Sequence, residues 1–99
     1  MIFLQETDTV VSLNIADADS TLKSIIFTTD IQHEKIIVQM DSIRDTDVLK
    51  FGYDSNGESA FTIAAVFNSD TIKSEHYAES GYSPEIQLNG KNFTVKEHF

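Results

Sequence analysis

The first side chains in this 99-residue sequence whose spacing could do chemistry are two aspartates in Asp17-Ala18-Asp19-Ser20-Thr21. Carboxylates at i and i+2 occur in metal and phosphoryl-transfer sites, but the same five residues also spell a polar turn with a capping serine. Asp54-Ser55-Asn56-Gly57 carries its glycine at the fourth position, whereas a calcium loop of the EF-hand type needs it at the sixth, so this segment is expected to be a turn. His33-Glu34 begins like a zinc-protease helix, yet position 37 is Ile37 and the second ligand is missing. His33, His76 and His98 are scattered without metal-ligand spacing. Ser74 and His76 would share one face of a strand, but no nucleophile-elbow pattern accompanies them. The sequence contains no cysteine, which excludes a thiolate nucleophile, a disulfide framework and Cys-ligated zinc. No phosphate-binding loop or dinucleotide fingerprint is present. The expectation is a protein that is not an enzyme and takes no metal and no cofactor.

The remaining chemistry is charge. Sixteen acids against seven bases give a net charge of −9, which disfavours DNA, RNA and anionic membrane as partners and favours a basic protein. The acids gather at expected loops. Asp41, Asp45 and Asp47 fall within seven residues, opposed by Arg44. Asp54 and Glu58 flank the Asn56-Gly57 turn. Between 70 and 85, Asp70, Glu75, Glu79 and Glu85 face one base, Lys73, and the stretch also holds Tyr77 and Tyr82. Tyrosine beside carboxylates offers contact area and a hydroxyl at low entropic cost. Glu75, Tyr77, Glu79 and Tyr82 are therefore the expected centre of a partner-binding surface. Asp41, Asp45, Asp47, Asp54 and Glu58 are secondary candidates.

The elements that would position these residues read as β. Val11, Leu13 and Ile15 alternate with period two. Segments 23–29, 35–40, 48–53, 60–67, 85–88 and 92–99 are further strand candidates, rich in β-branched and aromatic residues and separated by polar turns. Segment 70–79 could be a short helix capped by Ser69 or Asp70, with Ile72 and His76 inward. Its alternation, and its neighbours, favour a strand. The expected fold is mostly β: an antiparallel sandwich or small barrel of about seven strands, in one domain over 1–99, with at most one short helix.

Two Asn-Gly pairs mark expected hairpins. For Asn89-Gly90, a two-residue turn would pair Leu88 with Lys91 and Ile86 with Phe93, placing Ile86, Leu88, Phe93 and Val95 on one face. At Asn56-Gly57 a two-residue turn would set the apolar stripes on opposite faces. A three-residue loop with Gly57 left-handed would instead pair Phe51 with Phe61 and Leu49 with Ile63.

The opening Met1-Ile2-Phe3-Leu4-Gln5-Glu6 lacks a basic leader, and the longest uncharged apolar stretch, 61–67, is far short of the ~20 residues of a membrane helix. A cytoplasmic protein is expected. In size, acidity, lack of cysteine and expected cytoplasmic character the chain resembles the small acidic immunity proteins that bacteria make against nuclease toxins. That resemblance implies a stoichiometric inhibitor whose carboxylates occupy a phosphate-binding groove. The alternatives are a phage-type nucleic-acid mimic that blocks a host defence nuclease, a β-rich binding module or structural subunit of a larger assembly, and an enzyme or small-ligand barrel built around a concave polar pocket.

Overall fold

The computed structural model describes residues 2–3, 9–31, 34–41, 43, 47–53, 58–79, 81 and 83–96. Among them the secondary structure is all strand and turn. Nine strands run β1 (Ile2–Phe3), β2 (Thr9–Asn14), β3 (Ser24–Ile31), β4 (Glu34–Met40), β5 (Val48–Tyr53), β6 (Glu58–Val66), β7 (Thr71–Glu79), β8 (Glu85–Asn89) and β9 (Asn92–Lys96). They form two sheets, β1-β5-β2-β8-β9 and β4-β3-β6-β7. The second is antiparallel throughout, whereas the first contains two parallel pairs, β1 with β5 and β2 with β8. The mostly-β sandwich expected from the alternation is therefore present, with more strands than expected and a mixed first sheet. Segment 71–79 is a strand, as the alternation favoured.

Period-two alternation sends one stripe of each strand inward. Val11, Leu13, Leu49, Phe51, Ile86 and Leu88 come from the first sheet, and Ile25, Phe27, Phe61, Ile63 and Ala65 from the second; all are buried in one cluster. Each full burial of a valine, leucine, isoleucine or phenylalanine side chain contributes about 1.5–3 kcal/mol. Phe27 ties the sheets together. It stacks on Phe51 across the interface at 4.5 Å between ring centres and lies 5.5 Å from Phe61 within its own sheet.

Phe51, Phe61, Leu49 and Ile63 are all buried, but not as a hairpin. Phe51 pairs with Val11 and Leu49 with Leu13, while Phe61 pairs with Thr29 and Ile63 with Phe27. Between Tyr53 and Glu58 the chain crosses from one sheet to the other. Two inward apolar stripes are satisfied equally well side by side or facing each other across a core. In the fold β2 and β3 supply the lateral neighbours, and Phe51 and Phe61 both pack on Phe27 instead of on each other's strand. Gly57, expected left-handed, lies outside the described residues.

The second hairpin forms with its register moved by two. Leu88 faces Phe93, Ile86 faces Val95 and Asn89 faces Asn92, leaving Gly90-Lys91 as the loop. Gly90 has φ +59°, the left-handed value that the first loop position of a hairpin turn demands. A shift of two preserves faces, so Ile86, Leu88, Phe93 and Val95 do share one side. It also exchanges a Leu88–Lys91 pairing for Leu88–Phe93 and frees Lys91. That lysine sits 5.2 Å above the Phe67 ring and bridges to Asp70 at 3.1 Å, joining the two sheets at their ends.

Candidate functional site

The strand β7 is an edge of the second sheet, so its side chains alternate between the core margin and open solvent. Ile72, Ser74 and His76 point inward and are half-buried. Thr71, Lys73, Glu75 and Tyr77 point outward and are exposed. Ser74 Oγ and His76 Nε2 are 2.7 Å apart, and the imidazole lies 5.2 Å from the Phe61 ring. A hydroxyl against an imidazole is the geometry of a nucleophile and its base. Here the pair seals the core margin beside Phe61, its hydrogen bond satisfying two half-buried polar groups.

The outward residues form part of a sheet face. Register places Glu75 beside Thr62, then Thr28, then Ile37 across the four strands. A second row runs from Tyr77 to Ala60, and Lys35 stands opposite Asp30 on the far side. Tyr77 and Ile37, at 51% and 61% exposure, rise from opposite edges of a middle that holds Thr28, Thr62, Ala60, Ala64 and the half-buried Ile26. The result is a shallow face bordered by Glu75, Tyr77, Lys73, Asp30 and Lys35. Low side chains in the centre let a partner approach the sheet closely, and the raised aromatic gives it an anchor.

The expected centre is thus placed in part. Glu75 and Tyr77 share the outward face of β7. Glu58 and Glu79 are opposite each other in the β6–β7 register, which puts Glu58 at the start of a sheet strand rather than at a hairpin tip. Tyr82, Asp45 and Asp54 lie outside the described residues. Asp70 is held by Lys91, so the acidic stretch after residue 70 meets a second base from a distant hairpin.

Asp41 and Asp47 have separate surroundings. Asp41 follows β4 and accepts a hydrogen bond from Gln39 Nε2 at 2.9 Å. The Asp47 carbonyl accepts the Ile15 amide at 2.7 Å, and the residue helps line a depression of about 380 Å³ with Ile15, Ala18, Asp19, Leu22 and Ile43. Asp19 therefore shares a concavity with Asp47, a grouping invisible in the spacing of the chain. Its carboxylate accepts from the Thr21 hydroxyl at 2.6 Å and the Thr21 amide at 2.9 Å, and these bonds hold its pKa below the ordinary carboxylate value. Asp17 accepts from Gln87 Nε2 at 3.3 Å, and its carbonyl takes the Gly90 amide at 2.8 Å. Both aspartates thus have structural partners in the turn that clamps the β8–β9 hairpin.

Sequence reading missed a groove on the outer face of the first sheet. About 330 Å³ in volume, it is lined by Ser12, Asn14, Val48, Lys50, Glu85 and Gln87. Register explains it: Lys50 and Glu85 flank Ser12, while Val48 and Gln87 flank Asn14. The alternation that identified the inward stripe also fixed these outward residues. What it lacked was the parallel β2–β8 pairing that brings residues 12–14 beside 85–87.

No protein-family model matches this chain, and neither a curated protein nor a solved structure matches it.

Proposed function

We propose that the chain is a non-enzymatic acidic binding protein, an immunity protein that neutralises a basic, nuclease-type bacterial toxin in the cytoplasm by docking on it directly. The observation that carries this reading is the pairing of an exposed Glu75 with an exposed Tyr77 on the outward edge of a low sheet face, in a chain of net charge −9. A nuclease holds phosphate in a basic groove. The chain's overall negative charge opposes that groove and draws the two together, and the aromatic anchor on the low sheet face excludes water from the contact.

The test has two stages. Protein immobilised from the purified chain captures its partner from a native lysate, and mass spectrometry identifies it. The partner's nuclease activity is then titrated with the wild type, Tyr77→Ala and Glu75→Lys. Stoichiometric inhibition by the wild type is expected, with about 30-fold or greater weakening for Tyr77→Ala, the value of a hot-spot truncation near 2 kcal/mol. A captured partner that is not basic, or inhibition untouched by both substitutions, would refute the reading.

The groove on the first sheet favours a second reading, a β-rich binding module of a larger assembly. Two amides, a hydroxyl and a Lys50–Glu85 pair of opposite charges suit a neutral, hydrogen-bonding ligand better than a cationic one.

A further inference from the structure

The edge opposite β7 is built differently. Most edge strands are blunted by brevity or by charge. Here β1 is two residues long, and β7 carries Lys73 and Glu75 outward. In β4, Glu34–Met40, the charges Glu34 and Lys35 stand at one end, and Ile36-Ile37-Val38 follow without interruption. Its inward Ile36, Val38 and Met40 are only half-buried, although they pack against the core, and outward Ile37 is 61% exposed.

We propose that β4 pairs with β4 of a second copy of this chain, antiparallel about a two-fold axis at Val38, joining the two four-stranded sheets into one of eight strands. The strand's own sequence selects this occupant. Residues directly opposite in an antiparallel pair lie on the same face, so inward stripes meet only when opposed residue numbers sum to an even value. A sum of 76 sets Val38 against Val38, Ile36 against Met40, Ile37 against Gln39, and Lys35 against Asp41. Every apolar inward residue of the strand then meets another, and Lys35 faces a carboxylate twice by symmetry. A sum of 74 sets Glu34 against Met40 and leaves Lys35 opposite Gln39. A sum of 72 puts Glu34 against Val38, and 78 puts Asp41 against Ile37. Lys35 and Asp41 are both exposed, Lys35 makes no ion pair among the described residues, and Gln39 holds the Asp41 carboxylate at 2.9 Å beside the strand end. The proposal rests on the register of β4 and not on the toxin reading, although Lys35 and Ile37 also border the sheet face which that reading uses.

Sedimentation equilibrium of the whole chain, from about 1 µM to 1 mM at about 0.15 M salt, tests it. The wild type is expected to dimerise without forming larger species. Asp41→Lys alone sets lysines opposite each other at both ends of the seam, and Lys35→Asp alone sets aspartates there. Each should weaken dimerisation about tenfold or more. The double exchange, Lys35→Asp with Asp41→Lys, keeps composition and net charge and should restore the dissociation constant to within about threefold of wild type. Circular-dichroism melting of each variant confirms that the fold persists; Asp41→Lys, remote from the Asp30 that faces Lys35, carries the test if Lys35→Asp melts early. A wild type that stays monomeric throughout overturns the proposal. So does a dimer indifferent to Asp41→Lys, or a folded double exchange that fails to restore pairing.

Discussion

The Thr21 hydroxyl and amide both donate to the Asp19 carboxylate, and that local geometry makes a pH prediction possible. Hydrogen bonds to the charged form depress the folded pKa below that of the unfolded chain, about 3.9. A depressed carboxylate stabilises the fold above the unfolded pKa, and this contribution fades as pH falls through the folded value. Asp19→Asn should therefore flatten the loss of stability below about pH 4, seen as a shallower fall of Tm with pH than in the wild type. An identical acid limb in both proteins would show that the two bonds do not discriminate between charged and neutral Asp19. Phe27 makes the larger claim at this scale. Its ring is fully buried and touches aromatic partners in both sheets. Phe27→Ala should cost about 3–5 kcal/mol in urea unfolding. A double-mutant cycle of Phe27 and Phe51 should show a coupling of about 0.5–1.5 kcal/mol. A coupling near zero would mean that the 4.5 Å stack adds nothing beyond burial.

At the scale of elements, the β8–β9 turn concentrates the conformational demand on one residue. Gly90 is left-handed at +59°, and a Cβ built there meets nothing within 4 Å, so substitution strains the backbone without a clash. Gly90→Ala should destabilise by about 1 kcal/mol and Gly90→Asn by less, since asparagine tolerates the left-handed region. Equal losses for both would show that tolerance of the left-handed region does not set the cost, since either variant can keep the backbone hydrogen bonds between residue 90 and the 17–19 turn. The strands themselves were legible because each inward stripe is written locally: Val11 and Leu13, Phe61 and Ile63, Ile86 and Leu88. Their partners were less so. Asn56-Gly57 between two alternating runs carries the signal of a hairpin, yet β5 and β6 belong to opposite sheets. Alternation states which way a side chain points and is silent about whether its neighbour lies beside it or across the core. The same silence hid the groove at Ser12, Asn14 and Gln87 and the shared concavity of Asp19 and Asp47, all products of long-range pairing. That Glu75 and Tyr77 share an outward face was legible because two residues on one face of one strand need no partner to be placed together.

For the whole molecule, charge is distributed in a way that separates encounter from anchoring. The net charge of −9 acts over distance, whereas the face bordered by Glu75 and Tyr77 also holds Lys35 and Lys73 and is far closer to neutral. On the proposed toxin reading, long-range steering toward a basic partner would come from the molecule as a body, and the lifetime of the complex from the low apolar and threonine surface around Tyr77. Salt separates the two. At about 0.15 M the screening length is about 8 Å, so charges outside the contact stop contributing while buried contacts are little changed. Association of the captured partner, followed by stopped-flow fluorescence from about 0.05 to 0.5 M salt, should slow by more than about tenfold, with dissociation nearly constant. Charge reversal at Asp47, remote from the Tyr77 face in sequence and placed at the concavity with Asp19, should lower the association rate and leave dissociation alone. Tyr77→Ala should do the reverse, raising dissociation about 30-fold with association almost unchanged. An association rate that stays flat across the salt range would remove the electrostatic premise altogether. If Asp47 reversal instead accelerated dissociation, the contact would centre on the end of the sandwich rather than on the β7 face.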